Sequence, residues 1–340
     1  MKYALLGGLA AVGLLAALPA TASAEELDMV CGAEQDWCEL MARGFEEETG
    51  HKVLMVRKSM GETLAQVRAE ASNPKIDVWW AGTGDPHLIA ALEGLTQDPG
   101  VDTSDLLGWA QNMHKISNGG TVGIYAGALG IAYNSEVLEE RGLPAPTGWK
   151  DLTNPVYAGE IQVANPISSG TAYTELATFV QLFGEDEAFR LLTEIGKNVN
   201  QYTKSGSAPS KAAARGETTI SIGFMHDMVK LAGTGFPLKI VAPAEGTGYE
   251  VGAVSVIKGA RHPEVAKQFV EYALRPDVQS RSAEVGSYQV PSNSRASVAP
   301  EAPDLSSIKL IDYDFATYGD GSTRERLLKR WNDEVKSASH

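Results

Sequence analysis

The sequence lacks most of the patterns that would indicate a catalysed reaction. It contains no G-x-S-x-G elbow, no Walker loop, no H-E-x-x-H pair and no G-x-G-x-x-G after a predicted strand. Its six histidines are scattered along 340 residues. These absences leave no recognisable nucleophile or catalytic metal set, so we expect a protein that is not an enzyme and that needs no cofactor.

Basic residues are also fewer than acidic residues. The chain has 29 Lys and Arg against 43 Asp and Glu, which gives a formal net charge of -14. Such an acidic balance argues against nucleic acid or an anionic membrane surface as a partner. After the N-terminus, no apolar run reaches the roughly 20 residues that a membrane-spanning helix needs.

The N-terminus has the pattern of a cleavable export signal. Lys2 is followed by a small, apolar run from Ala4 to Leu18, and Ala22-Ser23-Ala24 forms an A-x-A cleavage site. The apolar run is too short to span a bilayer. No Leu-x-x-Cys acylation site lies at the cleavage point. We therefore predict that residues 1–24 are a signal peptide and that the mature protein is a soluble, unlipidated protein of the periplasm.

Cysteine is limited to Cys31 and Cys38. In an oxidising compartment, two neighbouring cysteines most simply form one disulfide. A structural zinc site is the competing interpretation, but it usually needs four protein ligands, and the nearest histidine, His51, stands in no recognisable spacing. We predict a Cys31–Cys38 disulfide and no metal site.

Short apolar runs alternate with amphipathic stretches along most of the chain. LDMVCG, KVLMVR and IDVWWAG are predicted strands, and WCELMARGFEEETG and GETLAQVRAEASN are the helices between them. Strand, helix and strand at this spacing predict a parallel sheet with crossover helices. A second α/β series follows VGIYAGALGIAYN. We predict two α/β lobes that close by a hinge around a small ligand in the cleft between them.

The first candidate binding segment is NPISSGTAYTEL, in which Ser168, Ser169, Gly170 and Thr171 lead from a strand into a helix. Exposed N–H groups, hydroxyls and the positive end of the helix dipole make an anion site, suited to phosphate or carboxylate. The alternative is ordinary N-capping by Ser168 or Ser169. The pattern alone leaves both interpretations open.

A second candidate segment is GFMHDMVKLA, in which His226 and Asp227 directly follow the apolar strand TISIGF. Side chains at the C-terminal end of such a strand project into the mouth of the cleft. Imidazole and carboxylate can hydrogen-bond hydroxyls or meet a ligand amine. The alternative is that Asp227 caps the next helix and His226 lies on the surface. Glu250, on a later strand, is a third candidate.

Two further loops follow predicted strands and open helices. KSMGET contains Ser59 and Gly61, and AGTGDP contains Thr83. Their N–H groups could face the opposite lobe, although both loops could equally be simple turns and caps. Next to the second loop stand Trp79 and Trp80. Because side chains alternate along a strand, we expect one of them in the core and the other near the cleft.

Taken together, these segments resemble the periplasmic substrate-binding proteins of ABC importers, and more narrowly the group that contains ferric-ion-binding and hexose-phosphate-binding proteins. The resemblance covers nearly all of the mature chain. It is carried by CGAEQDWCE, SMGETLAQVRAEASNPKIDVWWAGTGDPH, GALGIAYNSEVL, NPISSGTAYTEL, SGSAPSKAAARGE and VGAVSVIKGARHPEVAKQFVEYAL.

The resemblance implies a type II periplasmic binding fold with a hinge and an interlobe ligand cleft. Lobe one is expected to comprise residues 27–128 plus 252–290, and lobe two residues 129–251. Residues 291–340 are expected to pack on either lobe. The implied partners are the permease and ATPase subunits of an importer, and the protein is expected to be a monomer.

The resemblance also bears on the ligand. Iron-binding members place two adjacent tyrosines where this chain has His226 and Asp227, and this chain has no Tyr-Tyr pair. Sugar-phosphate-binding members resemble it at the cysteine pair and the His-Asp pair. They imply that residues 168–171 hold a phosphate while His226, Asp227 and Glu250 bind sugar hydroxyls. Ferric ion, an aminoethylphosphonate-like organophosphonate and a secreted phosphate-ester enzyme remain alternatives.

Overall fold

The computed structural model describes residues 24–338, so the predicted signal peptide lies outside the described residues except for Ala24. The strands are β1 (Glu26–Cys31), β2 (Lys52–Arg57), β3 (Val78–Thr83), β4 (Thr96–Gln97), β5 (Val122–Asn134), β6 (Ile161–Ala164), β7 (Val199–Thr203), β8 (Ile220–Phe224), β9 (Leu238–Val241), β10 (Tyr249–Ile257) and β11 (Val290–Pro291). The helices are α1 (Gln35–Thr49), α2 (Met60–Ala69), α3 (Gly84–Leu92), α4 (Gly108–Ile116), α5 (Ser135–Glu140), α6 (Gly170–Phe183), α7 (Glu185–Asn198), α8 (Ala208–Ala214), α9 (Met225–Gly233), α10 (Pro263–Leu274), α11 (Pro276–Ser280), α12 (Phe315–Tyr318) and α13 (Gly321–Glu334).

Local sequence signals account for many of these boundaries. β2 coincides with the predicted strand KVLMVR, and β5 coincides with VGIYAGALGIAYN. α1 ends at Gly50, whose φ of 75° is the left-handed conformation that glycine adopts without strain at a helix C-terminus. Helix α13 was not predicted. Its sequence is mostly polar, and it buries mainly Leu327 and Trp331, four residues apart on one face.

One mixed sheet runs through the molecule in the order β2-β1-β3-β10-β5-β8-β6-β7. β1 pairs in parallel with both β2 and β3, which confirms the predicted crossover arrangement. β10 enters antiparallel between β3 and β5, and β6 pairs in parallel with β7 and β8. The predicted α/β fold is therefore confirmed.

The long strand β5 changes its partner halfway along. Ala128 pairs with Tyr249 of β10, whereas Leu129 pairs with Phe224 of β8. The first half of β5 thus belongs to the sheet of lobe one and the second half to that of lobe two. The predicted lobe boundaries remain a proposal. This change of partner supports the one at 128/129 but not the one at 251/252, because Tyr249–Val251 already pair with the lobe-one half of β5.

Each lobe has its own apolar core. The core of lobe one includes Phe45, Trp80 and Phe269, and that of lobe two includes Trp149 and Phe179. The prediction that one of the two adjacent tryptophans approaches the cleft is wrong. Trp79 is fully buried against His87 and Trp80 packs edge-on against Trp37, because helices cover both faces of β3 and every residue of that strand is buried.

The C-terminal segment contacts both lobes. Pro291 pairs with Tyr125 in the lobe-one sheet. Tyr313 and Phe315 then pack in a small cluster with Leu88 and Val251. Helix α13 finally adds Leu327 and Trp331 to the core of lobe two. The segment therefore runs from one lobe to the other along the molecule.

The predicted disulfide is present. Cys31, the last residue of β1, is bonded to Cys38 in α1, and both residues are fully buried. The bond therefore ties the C-terminal end of a strand to the start of the helix that follows it. The same strand-to-helix connection contains Glu34, which lines the binding cavity described next.

Candidate ligand-binding site

A cavity lies between the two lobes and holds about 530 Å³, counting the part that is open to solvent. The lining residues are Gly32, Ala33, Glu34, Arg57, Lys58, Ser59, Met60, Gly82, Thr83, Tyr125, Ser169, Gly170, Thr171, Ser205, Gly206, Ser207, Phe224, His226, Asp227, Glu250 and Gln289. Eight of the ten predicted site residues are among them, and Gly61 and Ser168 are not.

Several helices begin at the cavity wall. The residues that precede α1, α2, α3, α6 and α9 are Glu34, Ser59, Thr83, Ser169 and Phe224, and all of them line the cavity. This convergence follows from topology, because helices that succeed the C-terminal ends of parallel strands start at the same edge of the sheet. Their unpaired N–H groups and positive dipole ends favour an anionic group.

Thr83, Ser169, Gly170 and Thr171 form one end of the cavity, which we call the hydroxyl end. Ser169 Oγ accepts a hydrogen bond from Ala172 N at 3.3 Å, so the capping interpretation holds for Ser169. Thr83 Oγ1 is buried and has no hydrogen-bond partner within residues 24–338. A Cβ on Gly170 would lie 2.0 Å from that oxygen. Glycine at this position therefore lets α6 of lobe two approach Thr83 of lobe one.

Gly61 and Ser168 were predicted to line the cavity, but they lie beside it. Gly61 N donates to Ser168 O at 3.0 Å, and Ser168 Oγ donates to Lys204 O at 3.1 Å. A Cβ on Gly61 would lie 2.3 Å from Ile167 O. These residues hold the two lobes together beside the cavity rather than facing into it, because their polar groups are used in contacts between segments of the protein.

His226, Asp227 and Glu250 lie together on another part of the cavity wall, which we call the acid end. His226 Nε2 lies 3.8 Å from Asp227 Oδ1 and 3.8 Å from Glu250 Oε1, too far for direct hydrogen bonds. His226 Nδ1 is buried without a partner among the described residues, and the ring stacks on Phe224. The alternative that His226 is a surface residue and Asp227 a helix cap is wrong, since Phe224 occupies the cap position.

Burial shifts the protonation of the acid end. Burial raises the pKa of Asp227 to about 7, and the charge of Glu34 adds to this rise. Burial also raises the pKa of Glu250 well above its ordinary value, with Asp227 contributing, and lowers the pKa of His226 to about 3. At neutral pH, His226 and Glu250 are therefore largely uncharged and Asp227 is partly protonated, so these groups can both donate and accept hydrogen bonds.

Sequence reasoning missed several lining residues. Glu34 and Arg57 lie at or just after the C-terminal ends of strands. The rule that side chains at such strand ends reach the cleft predicted Ser59 and Thr83, and it could have predicted these two residues as well. Gln289 and Tyr125 had no local signal, because only the packing of distant segments brings them to the cavity. The Tyr125 hydroxyl accepts a hydrogen bond from Gly82 N at 2.9 Å, and burial together with Glu250 raises the pKa of Tyr125 well above its ordinary value.

One set of potential metal ligands lies elsewhere. Asp28, Asp77 and His262 bring their ligand atoms within 4.8 Å of one another. The Asp77 carboxylate already accepts hydrogen bonds from Asp28 N at 3.0 Å, Arg261 N at 2.7 Å and the His262 ring at 2.9 Å. Asp28 is also paired with Arg261. The ligand atoms of the cluster are therefore already used in hydrogen bonds and an ion pair, which form a structural network that joins β1, β3 and the start of α10.

Two α/β lobes joined by shared strands around a buried polar cleft define a periplasmic binding protein. The chain belongs to the family of bacterial extracellular solute-binding proteins, whose family model matches residues 88–317. It is a periplasmic binding protein of an ABC importer, and its relatives of known structure include a sugar-phosphate-bound member. The predicted family and two-lobe fold are thus confirmed. No helix within residues 24–338 is long and apolar enough to cross a membrane.

Among solved structures, the chain is similar to AfuA of Actinobacillus pleuropneumoniae with fructose 6-phosphate bound, at 43% identity and a TM-score of 0.90, covering 92% of this chain and 99% of that chain. The periplasmic binding protein P5PA is 34% identical with a TM-score of 0.88 at the same coverage. An uncharacterised Haemophilus influenzae protein is 43% identical over 92% of this chain and 91% of its own length. Iron-bound HitA from Pseudomonas aeruginosa, at 20% identity and a TM-score of 0.75 over 91% of this chain and 98% of that one, shares the fold alone.

Proposed function

We propose that this protein captures a sugar phosphate in the periplasm and delivers it to the permease and ATPase of an ABC importer. The observation that carries the proposal is the division of one cavity into a hydroxyl end and an acid end. The similarity to AfuA, whose structure contains fructose 6-phosphate, supports the same ligand class. The export signal predicted for residues 1–24 supports the location.

The phosphate belongs at the hydroxyl end. Thr83 Oγ1 is a buried hydroxyl without a partner in the described part of the chain, and Ser169 and Thr171 lie beside it at the start of α6. Arg57 and Lys58 add positive charge to the cavity wall. Neutral donors, helix N-termini and two basic side chains together suit a phosphate ester.

The sugar belongs at the acid end. His226, Asp227 and Glu250 are uncharged or partly charged at neutral pH, and the 3.8 Å gaps leave their hydrogen-bonding capacity unused. Hydroxyl groups that both donate and accept match groups of this kind. A buried polar group left without a partner is costly, so a hydroxylated ligand that supplies one gains affinity.

A ferric ion fits the cavity poorly. Ferric sites in the resembling iron-binding proteins rely on a pair of phenolates, and within residues 24–338 Tyr125 is the one tyrosine that lines this cavity. Its hydroxyl oxygen already accepts a hydrogen bond from Gly82 N, and its raised pKa opposes phenolate formation. The site therefore lacks the pair of phenolate oxygens on which those ferric sites depend.

A second candidate ligand is a phosphonate that carries an amine. The observation in its favour is that Asp227 and Glu250 have no Lys or Arg partner within salt-bridge distance among residues 24–338. A ligand ammonium group would supply the missing charge. The phosphonate group would then occupy the hydroxyl end, as a phosphate would.

Calorimetry with four ligands tests the proposal. Fructose 6-phosphate should bind tightly, inorganic phosphate weakly and fructose without measurable heat, because only the ester occupies both ends of the cavity. Tighter binding of 2-aminoethylphosphonate than of fructose 6-phosphate would favour the second candidate. A phosphate-release assay on the fructose 6-phosphate complex should find the ester intact. Release of phosphate with turnover would show an enzyme instead.

A further inference from the structure

Three ion pairs that cross the cleft share one polarity. In each pair the carboxylate belongs to lobe one and the lysine to lobe two. The pairs are Glu34 with Lys211, Asp36 with Lys230, and Glu62 with Lys204. The acids lie at the starts of α1 and α2, whereas the lysines lie on α8, α9 and the segment before α8. These pairs form only when the lobes are closed, so their attraction favours closure.

Glu34 differs from the other two acids, because its side chain is mostly buried, at 17% exposure, and lines the ligand cavity. One carboxylate oxygen accepts hydrogen bonds from Arg57 Nη2 at 3.2 Å and from Ser207 Oγ at 2.7 Å. The other oxygen is paired with Lys211. Glu34 therefore joins a basic residue of its own lobe to two residues of the opposite lobe.

The charge of Glu34 depends on these partners. Burial alone would raise the pKa of Glu34, but the hydrogen bonds and charges of Lys211, Ser207 and Arg57 together outweigh burial, and the pKa lies below its ordinary value. A carboxylate withdrawn from water is stable only when it is paired. Opening the cleft removes Ser207 and Lys211 from Glu34, so its bonds to lobe two are made only in the closed form.

We propose that Glu34 is a positioning residue that couples lobe closure to ligand capture. It holds Arg57 in the cavity wall and locks that wall to α8 of lobe two. Arg57 is also held within lobe one, because its Nε donates to Ala33 O at 2.8 Å, so the part of this network that depends on closure is the attachment of Glu34 to Ser207 and Lys211. The coupling does not depend on which anionic ligand the cavity takes, and it goes beyond the function proposed above.

A cross-linking experiment tests the coupling without any ligand. Cysteines are introduced by Glu62→Cys and Lys204→Cys, whose native side chains meet across the cleft, and are joined with a short bismaleimide. Because cross-linking accumulates closed molecules, its rate reports the closed population even when that population is small. In this background Glu34→Gln should slow cross-linking about tenfold, the loss expected for one charge-assisted bond.

Glu93→Gln is the matched control. It removes a carboxylate that pairs with Arg68 inside lobe one, at 2.5 Å, and should leave the cross-linking rate unchanged. Lys211→Met separates closure from ligand contact, because Lys211 does not line the cavity. It should slow cross-linking as Glu34→Gln does. The double variant should add little to either single change, since both remove the same interaction.

Calorimetry with fructose 6-phosphate forms the second arm. Glu34→Gln and Lys211→Met should each weaken binding about tenfold, mainly through faster release. Cross-linking at the parent rate in both variants would overturn the proposal. Weaker binding in Glu34→Gln alone, with normal closure, would make Glu34 a plain ligand contact. If the parent protein ignores fructose 6-phosphate, the proposed function fails while the ligand-free arm still decides the coupling.

Discussion

The two ends of the cavity solve the problem of holding a polar ligand in different ways. The hydroxyl end uses helix N-termini and the hydroxyls of Thr83, Ser169 and Thr171, groups that do not titrate near neutral pH. The acid end uses His226, Asp227 and Glu250, whose pKa values are all displaced by burial. One end therefore depends on backbone geometry, and the other on desolvation. Changes at the two ends should have separable effects.

The largest effect is expected where the hydroxyl end meets the opposite lobe. Gly170→Ala places a methyl group 2.0 Å from Thr83 Oγ1, which forces the lobes apart or displaces that hydroxyl. Overpacking of this kind costs about 1–3 kcal/mol, so affinity for fructose 6-phosphate and for inorganic phosphate should both fall by up to about a hundredfold. Calorimetry measures both losses.

Gly108→Ala is the control for this change, because Gly108 is likewise the first residue of a helix and a Cβ there meets no atom within 4 Å. Its affinities should equal those of the parent protein. If Gly170→Ala binds both ligands like the parent protein, the hydroxyl end can accommodate an extra methyl group. The close approach of α6 to Thr83 would then not be needed for ligand binding.

The next effect distinguishes the ends directly. Asp227→Ala should weaken fructose 6-phosphate by roughly ten- to a hundredfold, the cost of a lost hydrogen bond to an ionisable group, and leave inorganic phosphate nearly unchanged. Thr171→Val should weaken both ligands, because it removes a hydroxyl from the phosphate end. Titration calorimetry of each variant with each ligand provides the test. An Asp227→Ala protein that binds fructose 6-phosphate like the parent would contradict the division of the cavity.

A smaller effect concerns stability rather than affinity. An aspartate loses its proton near pH 3.8 ordinarily but near pH 7 at position 227, so the folded, ligand-free protein binds this proton more tightly than the unfolded chain does. The free energy of unfolding should therefore fall as the pH rises from about 4 to about 7. Asp227→Asn removes this loss and should raise the Tm at pH 8 by about 3 °C or more.

Thermal unfolding at pH 5 and pH 8 measures the difference between the two proteins. Asp312→Asn, at an exposed position, is the control and should leave the Tm unchanged at both values of pH. Thr171→Val should show the parent's pH dependence, because the hydroxyl end has no group that titrates in this range. A Tm of Asp227→Asn below that of the parent at pH 8 would mean that the carboxylate is stabilised rather than strained by its surroundings.

The smallest expected effect is the response to Fe(III). Phenolate ligation of ferric ion gives a visible charge-transfer band, and the state of Tyr125 opposes it. Titration with ferric citrate should therefore leave the protein colourless and its Tm unchanged. A stoichiometric coloured complex would show that the cavity binds the metal through Tyr125, and the division into two ends would then have to account for that ion.

Much of the site could be predicted because it follows a local rule. Residues that succeed a buried strand and open a helix reach the cleft, which is how Ser169, Thr171, His226 and Asp227 were found. The same rule placed Ser168 and Gly61 in the cavity, where they are not. Their spacing is right, but their polar groups bond to segments far away in the sequence, and no local pattern contains that information.

The sequence by itself determined much of the order of strands and helices, the parallel pairing of β1 with β2 and β3, and the disulfide, because each depends on residues close together in the chain. Only the tertiary structure decided that Trp79 and Trp80 are both buried, that Glu34 reaches Lys211, and that burial displaces the pKa of Asp227. These features depend on which surfaces meet across the cleft and how much water they exclude. Distances between residues far apart in the chain are set by packing, and local periodicity in the sequence contains no information about packing.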